Sequence, residues 1–234
     1  MRYRYETHLH TSPVSRCADA SVADTLRFYK SLDYAGVFIT NHFLDGNVGI
    51  APSAPYDEKI RFYFSDYEEG KRIGAELGLD VFCGVELSYL GTDFLVYGLN
   101  KEWYLAHPEI MQMPKSRELP FLMKHGALVI QAHPFREDSY IDHIRLYPRC
   151  VHGVEVINAC RTEQENRMAS LYADAYGLLR TAGSDNHHGA RQKLLAGMET
   201  DSPLADEADF ICRLKSNRMT TFVERHGDSV PTPA

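Results

Sequence analysis

No run of residues in this sequence is apolar for long enough to cross a bilayer, and the opening MRYRYETH has no apolar signal-peptide core. A cytoplasmic location and no membrane partner are the expectations that follow. Cysteine is scarce: Cys17, Cys83, Cys150, Cys160 and Cys212 are scattered, odd in number and without a CxxC pair. That argues for reduced thiols rather than a disulfide framework. Positive charge is not in excess either. The formal net charge of -7 gives no global basic footprint, so no stable nucleic-acid partner is expected. A small phosphorylated partner stays compatible, because dications and a few arginines can make one pocket locally positive. There is no internal repeat, low-complexity tract or interdomain linker. With 44% hydrophobic residues, 234 residues can bury one core. The expectation is a single domain over 1–224 and a flexible tail over 225–234.

What is present is an alternation of strands and helices. Arg2–His8 reads as a strand, Ser21 caps a helix running to about Tyr34, and Ala35–Thr40 (AGVFIT) suits a buried parallel strand. Tyr56–Leu77 reads as a helix whose Phe62, Tyr63, Phe64 and Tyr67 pack against the sheet rather than stack bases. Strands follow at Leu79–Val85 and Phe94–Tyr97, then a helix near Glu118–His125 with Pro120 in its first turn or bending it. Ala127–Gln131 and Gly153–Ile157 are strands with a short helix expected between them. A helix at Glu163–Tyr176 stops at Gly177, and Leu178–Ala182 is a strand. Leu204–Lys215 is a last helix, and Met219–Val223 a last strand. The pattern predicts an α/β fold with a mainly parallel sheet, and a barrel would gather every strand end around one centre.

Just past these strands stand seven potential metal ligands: His8 and His10 in ETHLHTS, His42 in ITNHF, Glu86 in CGVELS, His133 in IQAHPF, and Asp185 and His187 in AGSDNHH. Each alone has an ordinary structural explanation, as a hydrogen-bonded histidine, a buried ion-pair partner or a helix cap. Five strand ends offering imidazole or carboxylate together indicate a multinuclear metal site. His8 and His10 are two apart on an extended segment and share a face. Mixed nitrogen and oxygen donors suit zinc, manganese or iron better than calcium.

The ordered set HLHT, TNH, GVE, AHP and GSDNH resembles the polymerase and histidinol phosphatase (PHP) superfamily over about Arg2–Phe222. The resemblance implies a distorted (β/α)7 barrel, and two or three divalent metal ions at its C-terminal face. It also implies phosphoester hydrolysis of a small phosphorylated metabolite or short oligonucleotide, by in-line attack of metal-bound hydroxide. By motif, His8 and His10 hold one metal with Asp185, and Glu86 bridges. His42 and His187 serve a second metal, and His133 a third together with Glu86.

Two positions depart from the pattern. Ser15 stands where many relatives carry an Asp, and Leu95 where some carry a His, with Asp93 and Cys17 nearby. Asn41 replaces the Asp of a more usual TDH. Arg136 and Arg161 are candidate phosphate clamps, because a guanidinium fork matches phosphate oxygens. His188 is a candidate proton donor to the leaving group. The loop Phe43–Tyr56 is a candidate lid or selectivity element. The alternatives are a metal-binding regulatory module with weakened catalysis, a phosphotyrosine phosphatase and an oligonucleotide exonuclease.

Overall fold

The computed structural model describes residues 2–227. Residues 228–234, most of the expected tail, lie outside the described residues. Helix α1 (Val22–Ser31) follows strand β1 (Tyr3–Glu6). It starts where Ser21 Oγ accepts the Asp24 N–H at 3.1 Å, and it buries Val22, Leu26 and Tyr29 along one stripe. Every residue of β2 (Gly36–Ile39) is buried, as in a strand covered on both faces. Helix α2 (Tyr56–Leu77) has the predicted bounds and ends on Gly78 at φ 65°, the left-handed turn that glycine takes without steric cost. Its Tyr63 and Phe64 pack with Phe43 and Tyr104 in the core.

Strand β3 (Asp80–Tyr89) runs past its predicted end and turns into β4 (Thr92–Tyr97). Then come α3 (Lys101–Ala106), a 3-10 turn at Pro108–Gln112 and α4 (Lys115–Lys124). Pro120 sits in the second turn of α4, not the first. Next are β5 (Leu128–Ala132), β6 (Gly153–Asn158), α5 (Glu163–Tyr176), β7 (Leu179–Gly183) and β8 (Leu194–Thr200). Helix α6 (Glu207–Lys215) and β9 (Thr220–Arg225) complete the order. Strand β8 and helix α3 have no counterpart among the elements expected from sequence.

The expected helix between β5 and β6 is absent: residues 133–152 are irregular. Pro134 and Pro148 each remove a helical donor, and Gln131 serves the loop backbone instead. It donates to the Arg145 carbonyl at 2.7 Å and accepts the Tyr147 N–H at 3.2 Å.

The strands form one sheet in the order β7-β6-β5-β4-β3-β2-β1-β8-β9. Strand β7 packs against β8 and β9, nearly closing a barrel. Ser184, just past β7, bridges that seam, donating to the Ala196 carbonyl at 3.0 Å and accepting the Ala196 N–H at 2.9 Å. The sheet is mixed, which corrects the expectation of mainly parallel strands. Pairs β1–β2, β2–β3, β5–β6 and β6–β7 are parallel, and β1–β8, β3–β4, β4–β5 and β8–β9 are antiparallel. Leu90 and Gly91, at φ 52° and 80°, supply part of the reason. Two successive left-handed residues make a tight hairpin turn, so β3 and β4 must run antiparallel.

Tyr5 of β1, Phe38 of β2, Phe82 of β3, Tyr97 of β4 and Leu128 of β5 are buried in a common core, closed from below by Phe210 of α6. Phe38 and Phe210 are each fully buried and contribute about 1.5–3 kcal/mol of transfer free energy. This packed floor leaves the opposite strand ends free to carry polar groups.

Candidate metal centre

Leu9 is buried against Leu26 and Tyr29, while its backbone bridges Asn186. His8 and His10, on either side of it, therefore turn the other way, toward the barrel axis. His42 follows β2 and pairs through its backbone with Glu86 of β3. His133 and Asp185 follow β5 and β7, and both hold left-handed backbone, at φ 25° and 52°. Such conformations cost about 1–3 kcal/mol in non-glycine residues and concentrate at functional sites.

The seven ligand candidates converge. His8 Nε2 lies 3.1 Å from Glu86 Oε1 and 3.5 Å from Asp185 Oδ1. His10 Nε2 lies 3.3 Å from Glu86 Oε2 and 3.4 Å from Asp185 Oδ1. His42 Nδ1 is 2.7 Å, and His133 Nε2 3.4 Å, from the Glu86 carboxylate. Three sets each gather their donor atoms within 4.8 Å: His8 with His10 and Asp185, His10 with His42 and His187, and His8 with Glu86 and His133.

Glu86 is fully buried, and neither of its oxygens has a hydrogen-bond partner despite these short contacts. A bare buried carboxylate ringed by imidazole nitrogens is costly unless a cation completes it. Donor atoms about 2.0–2.2 Å from a shared ion stand roughly 3–3.5 Å apart, and several of these contacts do. The residues fit divalent metal ions.

Behind the centre, hydrogen bonds orient His8 and His187. His8 Nδ1 meets Glu155 Oε1 at 2.9 Å, and His187 Nδ1 meets the Asp185 carbonyl at 2.9 Å. Glu155 also accepts the His133 N–H at 3.1 Å and the Asn158 side-chain amide at 2.9 Å. Sequence reasoning missed Glu155, although a lone acid inside the apolar strand GVEVI was a signal. Gly183 makes this packing possible: a Cβ there would stand 2.4 Å from His8 Cβ and 2.7 Å from Glu155 Oε1.

Charge and burial compete here. Burial disfavours the ionised form of Glu86, but His42, His8 and His10 outweigh it and hold its carboxyl well below the usual range. Asp185 is likewise held low, against its burial, chiefly by His8 and His10. Burial opposes a proton on His8, yet Glu155, Asp185 and Glu86 raise it well above an ordinary imidazole. His10 goes the other way, lowered by burial and then by His187 and His42. Metal binding to such a cluster releases protons.

A cavity of about 510 Å³ opens over the centre. Arg136 and Arg161 line it, and the Nε of each is buried without a partner. Arg136 reaches Asp93 Oδ2 at 3.5 Å and the Tyr140 hydroxyl. His188 is at the rim, 3.2 Å from Asp19 Oδ2 and half exposed. Asp45, Gly46 and Asn47 of the Phe43–Tyr56 loop also line the cavity. Leu95 is buried among apolar neighbours, whereas Asp93, on the same face of β4, places Oδ2 3.8 Å from His133 Nε2. Cys17 lies on the cavity wall. Burial opposes its ionisation, but His187 and His42 draw the thiol down to about 6. Ser15 and Asn41 stand behind His10 and do not line this cavity.

No family model and no curated protein sequence matches the chain. Solved structures do. A two-domain Bacteroides vulgatus protein containing a predicted PHP-like metal-dependent phosphoesterase matches with TM-score 0.70 at 14% identity, over 95% of this chain and 65% of that one. This chain therefore spans about two thirds of that protein's length. The two share a fold. A proposed metal-dependent phosphoesterase from Bifidobacterium adolescentis matches with TM-score 0.55 at 12% identity, over 79% of this chain and 88% of that one. An amidohydrolase from Chromobacterium violaceum, with sulfate bound and no metal, matches with TM-score 0.54 at 14% identity, over 96% and 99%. The names divide between phosphoester and amide hydrolysis, and fold alone does not choose a chemistry. No helix among the described residues is long and apolar enough to cross a membrane.

Proposed function

We propose that the chain is a metal-dependent phosphoesterase of the PHP superfamily, acting on a small phosphorylated metabolite or short oligonucleotide. Its single domain spans residues 1–224. The observation that carries the reading is the unpartnered Glu86 carboxylate among converging imidazoles, beneath a cavity walled by two arginines. His8, His10 and Asp185 would hold one ion, His42 and His187 a second, and His133 with Glu86 a third. Zinc, manganese or iron suits these donors. Bound ions would supply a nucleophile at neutral pH and neutralise charge on the phosphoryl oxygens.

The remaining work falls to the side chains. Arg136 and Arg161 have free guanidinium N–H groups on the cavity wall and clamp phosphoryl oxygens. Asp93 holds Arg136 in place. His188, kept at the rim by Asp19, donates a proton to the leaving group. The first half of the Phe43–Tyr56 loop contributes to substrate selection, since Asp45–Asn47 form one cavity wall.

The test is phosphate release from a panel of phosphomonoesters and phosphodiesters with manganese or zinc, alongside an amide panel. His8→Ala and Asp185→Ala should abolish hydrolysis. No turnover of any phosphoester by metal-loaded protein would leave the metal-binding regulatory module, which the Ser15 and Leu95 departures favour, as the better reading.

A further inference from the structure

The imidazole of His10 is oriented through a buried route that runs outward to helix α2. His10 Nδ1 lies 3.0 Å from Ser15 Oγ, which also accepts the His42 backbone N–H at 3.0 Å. The Ser15 hydroxyl itself lies 2.8 Å from Asn41 Oδ1. Asn41 Oδ1 accepts the Thr11 N–H at 2.7 Å, and its Nδ2 donates to Thr11 Oγ1 and to Asp66 Oδ2, both at 3.0 Å. Thr11 Oγ1 donates to Asp66 Oδ2 at 2.7 Å. Ser15, Thr11, Asn41 and Asp66 are all at most 1% exposed, so water does not substitute for any of these bonds.

We infer that Asp66, acting through Asn41 and Ser15, fixes the ring proton of His10 on Nδ1 and leaves Nε2 free to bind a metal ion. The argument is one of donors and acceptors. Asp66 Oδ2 accepts from Thr11 Oγ1, from the Val14 N–H and from Asn41 Nδ2, so Asp66 fixes the amide of Asn41 with its NH2 toward α2 and its carbonyl toward Ser15. That carbonyl only accepts, so the single Ser15 hydroxyl proton points to it. Ser15 Oγ is then left with two lone pairs, one taken by the His42 N–H. The other can only receive the proton of His10 Nδ1.

His8 obtains the same result from the carboxylate of Glu155, and His187 from a carbonyl. Ser15 achieves it without adding negative charge beside Glu86. The Ser15 departure is thus a positioning residue, with Asn41 and Asp66 behind it. The inference rests on the metal-site reading above.

The test compares zinc affinity, by competition with a chromophoric chelator, for wild type, Ser15→Ala, Asp66→Leu and Asp66→Asn. Removing an outer partner of a ligating histidine weakens metal binding about 10–100-fold, and Ser15→Ala and Asp66→Leu should each do so. Asp66→Asn keeps an acceptor oxygen for Thr11 and Asn41 and should restore affinity close to wild type. Nitrogen-15 spectra of the histidine rings in metal-free protein at pH 8 give a second readout. His10 should carry its proton on Nδ1 in wild type and lose that preference in Ser15→Ala. Unchanged zinc affinity in Ser15→Ala, or any other protonation of wild-type His10, overturns the inference. If wild type takes up no zinc, the metal reading falls, and the His10 proton alone decides the route.

Discussion

Glu86→Gln is the substitution that most directly tests the centre. It keeps the side-chain volume in a fully buried position, so no cavity is created. It removes the one charge toward which His8, His10, His42 and His133 converge. In metal-free protein the substitution removes a charge that the histidines hold ionised, so each protein's own metal-free Tm is the reference. Metal-loaded protein is different. At a free ion concentration 100 times Kd, binding adds about 2.7 kcal/mol to wild-type stability. For a domain of this size that is a rise in Tm of about 5–11 °C. A 100-fold loss of affinity brings the same concentration to Kd, where the gain is about 0.4 kcal/mol and the rise about 1–2 °C. Differential scanning fluorimetry with and without zinc or manganese measures both. Equal metal-dependent shifts in wild type and Glu86→Gln would refute the role of Glu86, and no shift in wild type would refute the centre.

Gly183→Ala should destabilise the fold by about 1–3 kcal/mol in urea unfolding, because its Cβ would stand 2.4 Å from His8 Cβ; a wild-type midpoint would contradict this. Glu155→Gln should weaken zinc binding about 10–100-fold while leaving the ligands in place; unchanged affinity in chelator competition would show that His8 is oriented otherwise. Burial, only partly offset by Lys115, raises the Glu118 carboxyl from an ordinary 4.5 to about 7. The native state then binds its proton more tightly than the unfolded chain. Its stabilising contribution is complete below about 4.5 and is lost as pH rises through about 7. The difference in unfolding free energy between wild type and Glu118→Gln should fall over that window, and a difference that grows with pH would contradict the assignment.

Elements with strong local signals were legible. Helix α2 shows its aromatic positions among charged residues, α5 its glycine stop at Gly177, and β2 its unbroken apolar run. The antiparallel hairpin at Leu90–Gly91 was less so, because a leucine in left-handed backbone is not an expected turn residue. The region between β5 and β6 read as a helix because the side-chain service from Gln131 is a tertiary effect. Strand β8 carries little local signal, because LLAGMET lacks the β-branched alternation that marks a strand.

By itself the sequence picked out the residues that converge: imidazoles and carboxylates placed just past strands, since strand ends are where a barrel presents polar groups. It could not determine their company. That four imidazoles close on Glu86, that Glu155 stands behind His8, and that Ser15 Oγ lies against His10 Nδ1 are facts of distance. These groups lie far apart along the chain, and only closure of the sheet brings their atoms within a few ångströms. At that range the direction of each donor and acceptor decides where a proton sits and where an ion can bind.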